Sequence, residues 1–148
     1  MSANTNHDLH DSDFYAWAKQ TAQLLKEGRV SEVDIKDIAE ELEDMGISNK
    51  RALISCLSVL IAHLLKWKFQ KERRGTSWQR TIKAQRLRVK DLLETSPSLK
   101  HEINLKFSFA YLDATVMAEK ETGLNIETFP EECPFTLEQC LNEEFWPD

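Results

Sequence analysis

Residues 49–73 read NKRALISCLSVLIAHLLKWKFQKER, and the fold class follows from how the apolar side chains fall along them. Leu53, Leu57, Leu60, Leu64 and Trp67 recur at alternating intervals of four and three. Ile54, Ile61 and Leu65 widen that stripe to about half of a helix circumference. One neighbouring helix cannot cover so broad a face, so the segment is predicted to be the central helix of a bundle.

Outward from this segment, four glycines and four prolines punctuate the chain where helices are expected to stop. A first helix is predicted over residues 13–27, with Phe14, Trp17, Thr21, Leu24 and Leu25 on one face, Ser12 as cap and Gly28 beyond its end. A second spans 35–45: Asp34 caps it, Val33 staples onto Ile38, Ile35, Ile38, Leu42 and Met45 form a buried stripe, and Gly46 closes it. The central helix follows a short turn at 46–49. Gly75, then a Thr76/Gln79 capping box, opens a fourth helix through Trp78, Ile82, Val89, Leu92 and Leu93. Pro97 introduces a fifth, with Leu99, Ile103, Phe107, Ala110, Ala114 and Met117 at helical spacing until Gly123. Residues 124–135, with Pro130 and Pro134, read as an extended strap leading to a short helix capped by Thr136 with Gln139. Phe129, Phe135, Leu141, Phe145 and Trp146 pin that end down. The predicted fold class is all-α, a compact helical bundle of about five long helices with a short C-terminal helix. Residues 1–12 are expected to be disordered, and residues 13–148 to form a single helical domain that includes the C-terminal strap 124–148.

Composition narrows the class further. A chain of 148 residues is in the range of one domain, which buries roughly 68–70% of the surface its unfolded chain exposes. With 41% apolar and 30% charged residues it is too apolar for a disordered chain and too broken by charge for a membrane protein. The longest apolar run, Leu53 to Leu65, is interrupted by Ser55, Ser58 and His63 and falls short of the roughly 18 residues a bilayer span requires. No basic-then-apolar leader opens the chain, so a cytoplasmic protein without membrane contact is expected. Cys56, Cys133 and Cys140 form an odd set without a CxxC pair, the usage of free thiols in a reducing compartment.

The stretches AEELEDMG (39–46), HLLKWKFQ (63–70) and PEECPFTLEQCL (130–141), together with Trp78 and Arg86, carry a resemblance over almost the whole chain from Asp13 onward. In these the chain resembles the bacterial domain-of-unknown-function family number 29, abundant in cyanobacteria. That resemblance implies a compact helical protein and no particular activity.

The net charge of −6 is unevenly spread. In the segment 66–90 ten basic residues stand against one acid, Glu72, leaving +9 there and −15 in the remainder. At roughly 100° per residue, Gln79, Lys83, Arg86 and Lys90 share one strip beside the apolar face of the fourth helix. Lys83, Arg86 and Lys90 are therefore the candidate anion-binding residues, for phosphates of a nucleic acid. No nucleic-acid motif or overall positive charge accompanies them. The competing reading is internal neutralisation by the second helix, where seven acids against Lys36 give −6.

A candidate polar site comprises Asp34, Asp37 and Glu41 on the second helix with His63 and Gln70 on the third. Across an antiparallel turn, His63 falls opposite Asp34 and Ile35, less closely Asp37 and poorly Glu41. That favours a hydrogen-bonded structural histidine over a three-ligand metal site. No Glu-x-x-His or His-x-x-x-His pair occurs, His7 and His10 lie in the expected disordered start, and Cys133 and Cys140 read as small buried hydrophobes. No metal and no cofactor are expected. No GxxxxGK, GxGxxG or GxSxG motif is present. Trp17, Trp67 and Trp78 fall on apolar faces as core residues, while Trp146 either anchors the tail or presents an aromatic surface to a partner.

Function is therefore expected to be binding, to an unidentified protein partner, without catalysis. The first alternative is a nucleic-acid-associated protein using segment 66–90. The second is a metal-dependent or acid/base enzyme using His63 and the helix-two carboxylates.

Overall fold

A computed structural model describes residues 2–148, and side chains from Asn6 onward. Among the described residues every regular element is helical. The α-helices are α1 (Ser2–Ser12), α2 (Phe14–Lys26), α3 (Ile35–Phe69), α4 (Thr76–Thr95), α5 (Leu99–Thr122) and α6 (Leu137–Leu141), joined by 3-10 turns at Val30–Glu32, Lys71–Arg73 and Ile126–Thr128. Five long helices and a short last one match the predicted fold class, but two of the long ones differ from those expected. Residues 2–12, expected to be disordered, form α1. The two helices predicted over 35–45 and 49–73 are one, α3.

The chain divides into two compact units, Met1–Ile47 and Ser48–Asp148. In the first, α1, α2 and the beginning of α3 converge on the buried amide of Asn6. Its Nδ2 donates to Gln20 Oε1 and Thr21 Oγ1, both at 3.2 Å. Its Oδ1 accepts from Trp17 Nε1 at 3.3 Å and from the Asp34 backbone N–H at 3.0 Å. Both donors of the amide and both lone pairs of its carbonyl are thus used. Among the described residues of this unit, only Trp17, Thr21 and Val33 join Asn6 and Asp37 as buried. Asp13, one residue after the predicted Ser12, caps α2 by accepting from Ala16 N. The start of α3 is capped as predicted, Asp34 Oδ1 accepting from the N–H groups of Lys36 and Asp37. The stripe Ile35, Leu42 and Met45, predicted to be buried, is more than 60% exposed.

The second unit carries the apolar core. Leu53, Leu57, Leu60, Ile61, Leu64 and Leu65 of α3 are wholly buried against Ile82 and Val89 of α4 and Ile103, Ala110 and Ala114 of α5. By length and composition α3 is long and apolar enough to cross a membrane, which the sequence did not suggest; half of its most apolar 18-residue window is buried inside the structure. Gly123, at φ 75°, ends α5 in the left-handed conformation that favours glycine. The predicted capping box at Thr76 and Gln79 does not form: Gly75 occupies the cap position without a side-chain bond. The one at Thr136 and Gln139 forms in both directions. The tail is held by aromatic contacts, with ring centroids 4.8 Å apart for Trp67 and Trp146, 5.6 Å for Phe69 and Phe129, and 5.8 Å for Phe135 and Phe145. Trp146 is thereby assigned to anchoring.

Gly46 lies inside α3 in right-handed backbone, and a Cβ there would meet no atom within 4 Å. Gly46→Ala is therefore expected to stabilise the protein by about 0.5–1 kcal/mol, measured by urea unfolding. A helix-terminating turn at 46–49 would give the opposite sign.

Candidate functional site

The carboxylates singled out in the sequence do come together, with imidazoles that the sequence did not assign to them. Asp34, at the α3 cap, and Asp37 and Glu41, one and two turns into the helix, face α1. His7 Nδ1 lies 2.7 Å from Asp37 Oδ2 and 3.6 Å from Asp34 Oδ2. His10 Nε2 lies 2.7 Å from Glu41 Oε1, and its Nδ1 is 3.9 Å from Asp37 Oδ1 and 3.4 Å from Asp11 Oδ1. The ring of His10 packs edge-on against Trp17, centroids 4.6 Å apart. Hydrogen bonds to Asp37 and to Glu41 respectively raise the pKa values of His7 and His10 above the ordinary histidine value. The available signal was the spacing itself: His7 and His10 stand three apart, hence on one face of any helix formed there.

His63 and Gln70 lie in the second unit, outside this cluster. With 46–49 helical, no turn exists to fold His63 back, and its Nδ1 donates instead to Val59 O, 2.9 Å away and one turn earlier on α3. Gln70 is buried at the end of α3. Burial pulls the His63 imidazole below its ordinary pKa; the Val59 hydrogen bond opposes this, and Lys66 and Glu121 are the charged groups around it. The unfolded chain therefore takes up the proton first as pH falls. The contribution of neutral His63 to stability is complete above about pH 6.5 and is lost below it. Between pH 7 and pH 5 the unfolding free energy of the wild type should fall more steeply than that of His63→Gln, measured by urea unfolding across that range.

Four of the ten basic residues of the segment 66–90 are committed within the chain. Arg86 is 1% exposed, not on an open strip. Its Nε donates to Cys140 O at 2.7 Å, and its Nη2 to Phe145 O at 2.7 Å and Gln139 O at 3.4 Å. Arg74 likewise donates to Trp67 O and Pro147 O, Lys90 pairs with Glu143 at 3.2 Å, and buried Lys66 pairs with Glu121. These four hold helices and tail together; of the proposed anion-binding trio only Lys83 is exposed.

A row of exposed apolar side chains lies on α5. Leu105, Phe109, Leu112 and Val116 are 64%, 59%, 61% and 51% exposed. Their spacing of four, three and four places them in one row, opposite the core face of Ile103, Ala110, Ala114 and Ala118. An open groove of about 590 Å³ runs beside the row, between α5 and the strap, lined by Phe107, Tyr111, Leu112, Ile126, Phe129 and Cys133 among others. The Tyr111 hydroxyl donates to Pro130 O, and burial pushes its pKa up to about 12. The sequence pattern of α5 contained both rows, of which only the core-facing one was recognised.

A family model described as "Domain of unknown function DUF29" matches residues 9–146. Searches of curated proteins and of solved structures find no match.

Proposed function

From the premise that this chain belongs to the DUF29 family, whose description assigns no activity, we propose that it is a protein-interaction module whose α5 docks on α5 of a second copy. The observation that carries this reading is that α5 has apolar side chains on both of its faces. A contiguous apolar row on a helix is normally packed against something, yet this second row is open.

The row is self-complementary. With two α5 helices antiparallel and the two-fold axis between Phe109 and Leu112, Leu105 meets Val116 of the second copy and Phe109 meets Leu112, the opposed packing of an antiparallel helix pair. On the flanks Lys106 falls near Asp113 of the second copy, and His101 near Glu119. Each pair occurs twice, with opposite or compatible charge. Such a contact removes on the order of 1,000 Å² from water, the lower range for a specific interface.

Sedimentation equilibrium should show a dimer at micromolar concentration. Phe109→Glu should make it monomeric with stability changed by no more than about 0.5 kcal/mol, because the position is exposed in the isolated chain. Lys106→Glu should weaken the dimer, and adding Asp113→Lys should restore it. A wild type that stays monomeric at high micromolar concentration, or a Phe109→Glu variant that still dimerises, would refute the proposal.

A further inference from the structure

We propose that His7, His10, Asp34 and Asp37 form a binding site for one divalent transition-metal ion, with Glu41 orienting His10. The donor atoms of His7, Asp34 and Asp37 all lie within 4.8 Å of one another. A cation bonded at about 2.0–2.2 Å keeps neighbouring donors roughly 3.0–3.5 Å apart and opposite ones roughly 4.2 Å apart. The 2.7 Å and 3.6 Å separations from His7 to the two aspartates fit such a shell after shifts of a few tenths of an ångström.

His10 supplies the independent observation. Its Nε2, held by Glu41 at 2.7 Å, is the donor nitrogen of the neutral ring, which leaves the Nδ1 lone pair free. That Nδ1 is buried and makes no hydrogen bond of good geometry; Asp11 Oδ1 lies 3.4 Å and Asp37 Oδ1 3.9 Å from it. A ligating histidine whose other nitrogen is fixed by a carboxylate is the usual outer-shell arrangement of protein metal sites. Asp37 adds a second pointer: its side chain is only 5% exposed, and a buried carboxylate needs a cation or several donors.

The charges agree. Asp11, Asp34, Asp37 and Glu41 surround two imidazoles, and among the described residues no lysine or arginine pairs with any of the four. Both imidazoles must be neutral to ligate, and the four carboxylates then supply four negative charges, of which one divalent ion offsets two. Two imidazoles with two carboxylates suit zinc, manganese, iron(II) or cobalt; an all-oxygen shell would suit magnesium or calcium.

The test is a titration of the full chain with Co²⁺, followed by visible ligand-field absorption and by calorimetry, with competition by Zn²⁺. One ion per chain is expected. His10→Ala and Asp34→Asn should each weaken binding by about tenfold or more, and Glu41→Gln by roughly 10- to 100-fold through loss of orientation. Asn caps a helix as well as Asp does, so Asp34→Asn keeps the start of α3, and unchanged circular dichroism separates a lost ligand from a lost fold. His63→Ala should bind as the wild type does. Absence of binding by the wild type, equal binding by His10→Ala and Asp34→Asn, or loss of binding in His63→Ala would each overturn the proposal. The site and the α5 row share no residue, so either can fail alone.

Discussion

Arg86→Ala is expected to lower the unfolding free energy by about 3–5 kcal/mol. The truncation deprives the carbonyls of Cys140 and Phe145 of donors at 2.7 Å and takes a weaker bond from Gln139, and each buried carbonyl left unpaired costs about 1–3 kcal/mol. It also removes the contact of the guanidinium with the Trp146 ring, 5.5 Å from its centroid. Arg86→Lys should recover only part of the loss, since a single ammonium on a flexible stem cannot reproduce a planar fork reaching carbonyls on both sides of residues 142–144. Urea unfolding gives the magnitude. Limited proteolysis gives the location, because the segment following α6 should become cleavable first. A loss below about 1 kcal/mol, with the tail still protected, would mean that this arginine is not what holds the C-terminus.

Arg86 also marks where sequence reading and structure part. Ile82, Arg86, Val89 and Leu93 are spaced four, three and four, so the arginine stands in the same row as three core residues. Helical projection set it on a strip beside the apolar face, with Gln79, Lys83 and Lys90, whereas it lies within the buried row itself. What the projection lacked was the neighbour: a row is a core row only where something covers it, and here the covering group is backbone of the C-terminal segment, whose carbonyls need donors. Arg74 likewise donates to backbone carbonyls, while Lys66 and Lys90 pair with acids. An excess of positive charge on one segment was legible; that four of its basic side chains are spent on carbonyls and acids of the same chain depends on contacts between residues up to 73 positions apart.

The helices bounded by strong punctuation were legible, and those without it were not. Gly123 at positive φ and the Thr136/Gln139 box act locally and stand where predicted. Gly46 acts only as a weak local penalty, of about 1 kcal/mol in a helix interior. Ending α3 there would instead leave a row of carbonyls and N–H groups without helical partners. The continuous helix wins. At the N-terminus the failure has the opposite cause: α1 has no apolar stripe to detect, and is held by the side-chain amide of Asn6 and by two histidines on carboxylates. Half of the candidate polar site, Asp34, Asp37 and Glu41, was therefore visible as a stacked set of carboxylates. Its imidazole half was hidden in a segment that hydrophobic periodicity cannot see.

Leu60→Ala is expected to cost about 2–5 kcal/mol, whereas Leu42→Ala, on the same helix, should change stability by less than about 0.5 kcal/mol. Both are leucines in right-handed helix, so propensity is the same and the difference reports surroundings alone. Leu60 is wholly buried among the α3, α4 and α5 side chains of the second unit, and its truncation leaves a cavity where close packing existed. Leu42 is 63% exposed, and its removal gives up little contact. The sequence pattern assigned both to buried stripes, because a 3.6-residue period reveals which residues share a face and says nothing of what lies against that face. Equal losses at the two sites would mean that the N-terminal half of α3 is covered in solution. Such a result would place a partner on Ile35, Leu42 and Met45, and repeating the pair of measurements in the Phe109→Glu background would show whether that cover comes from the α5-paired dimer.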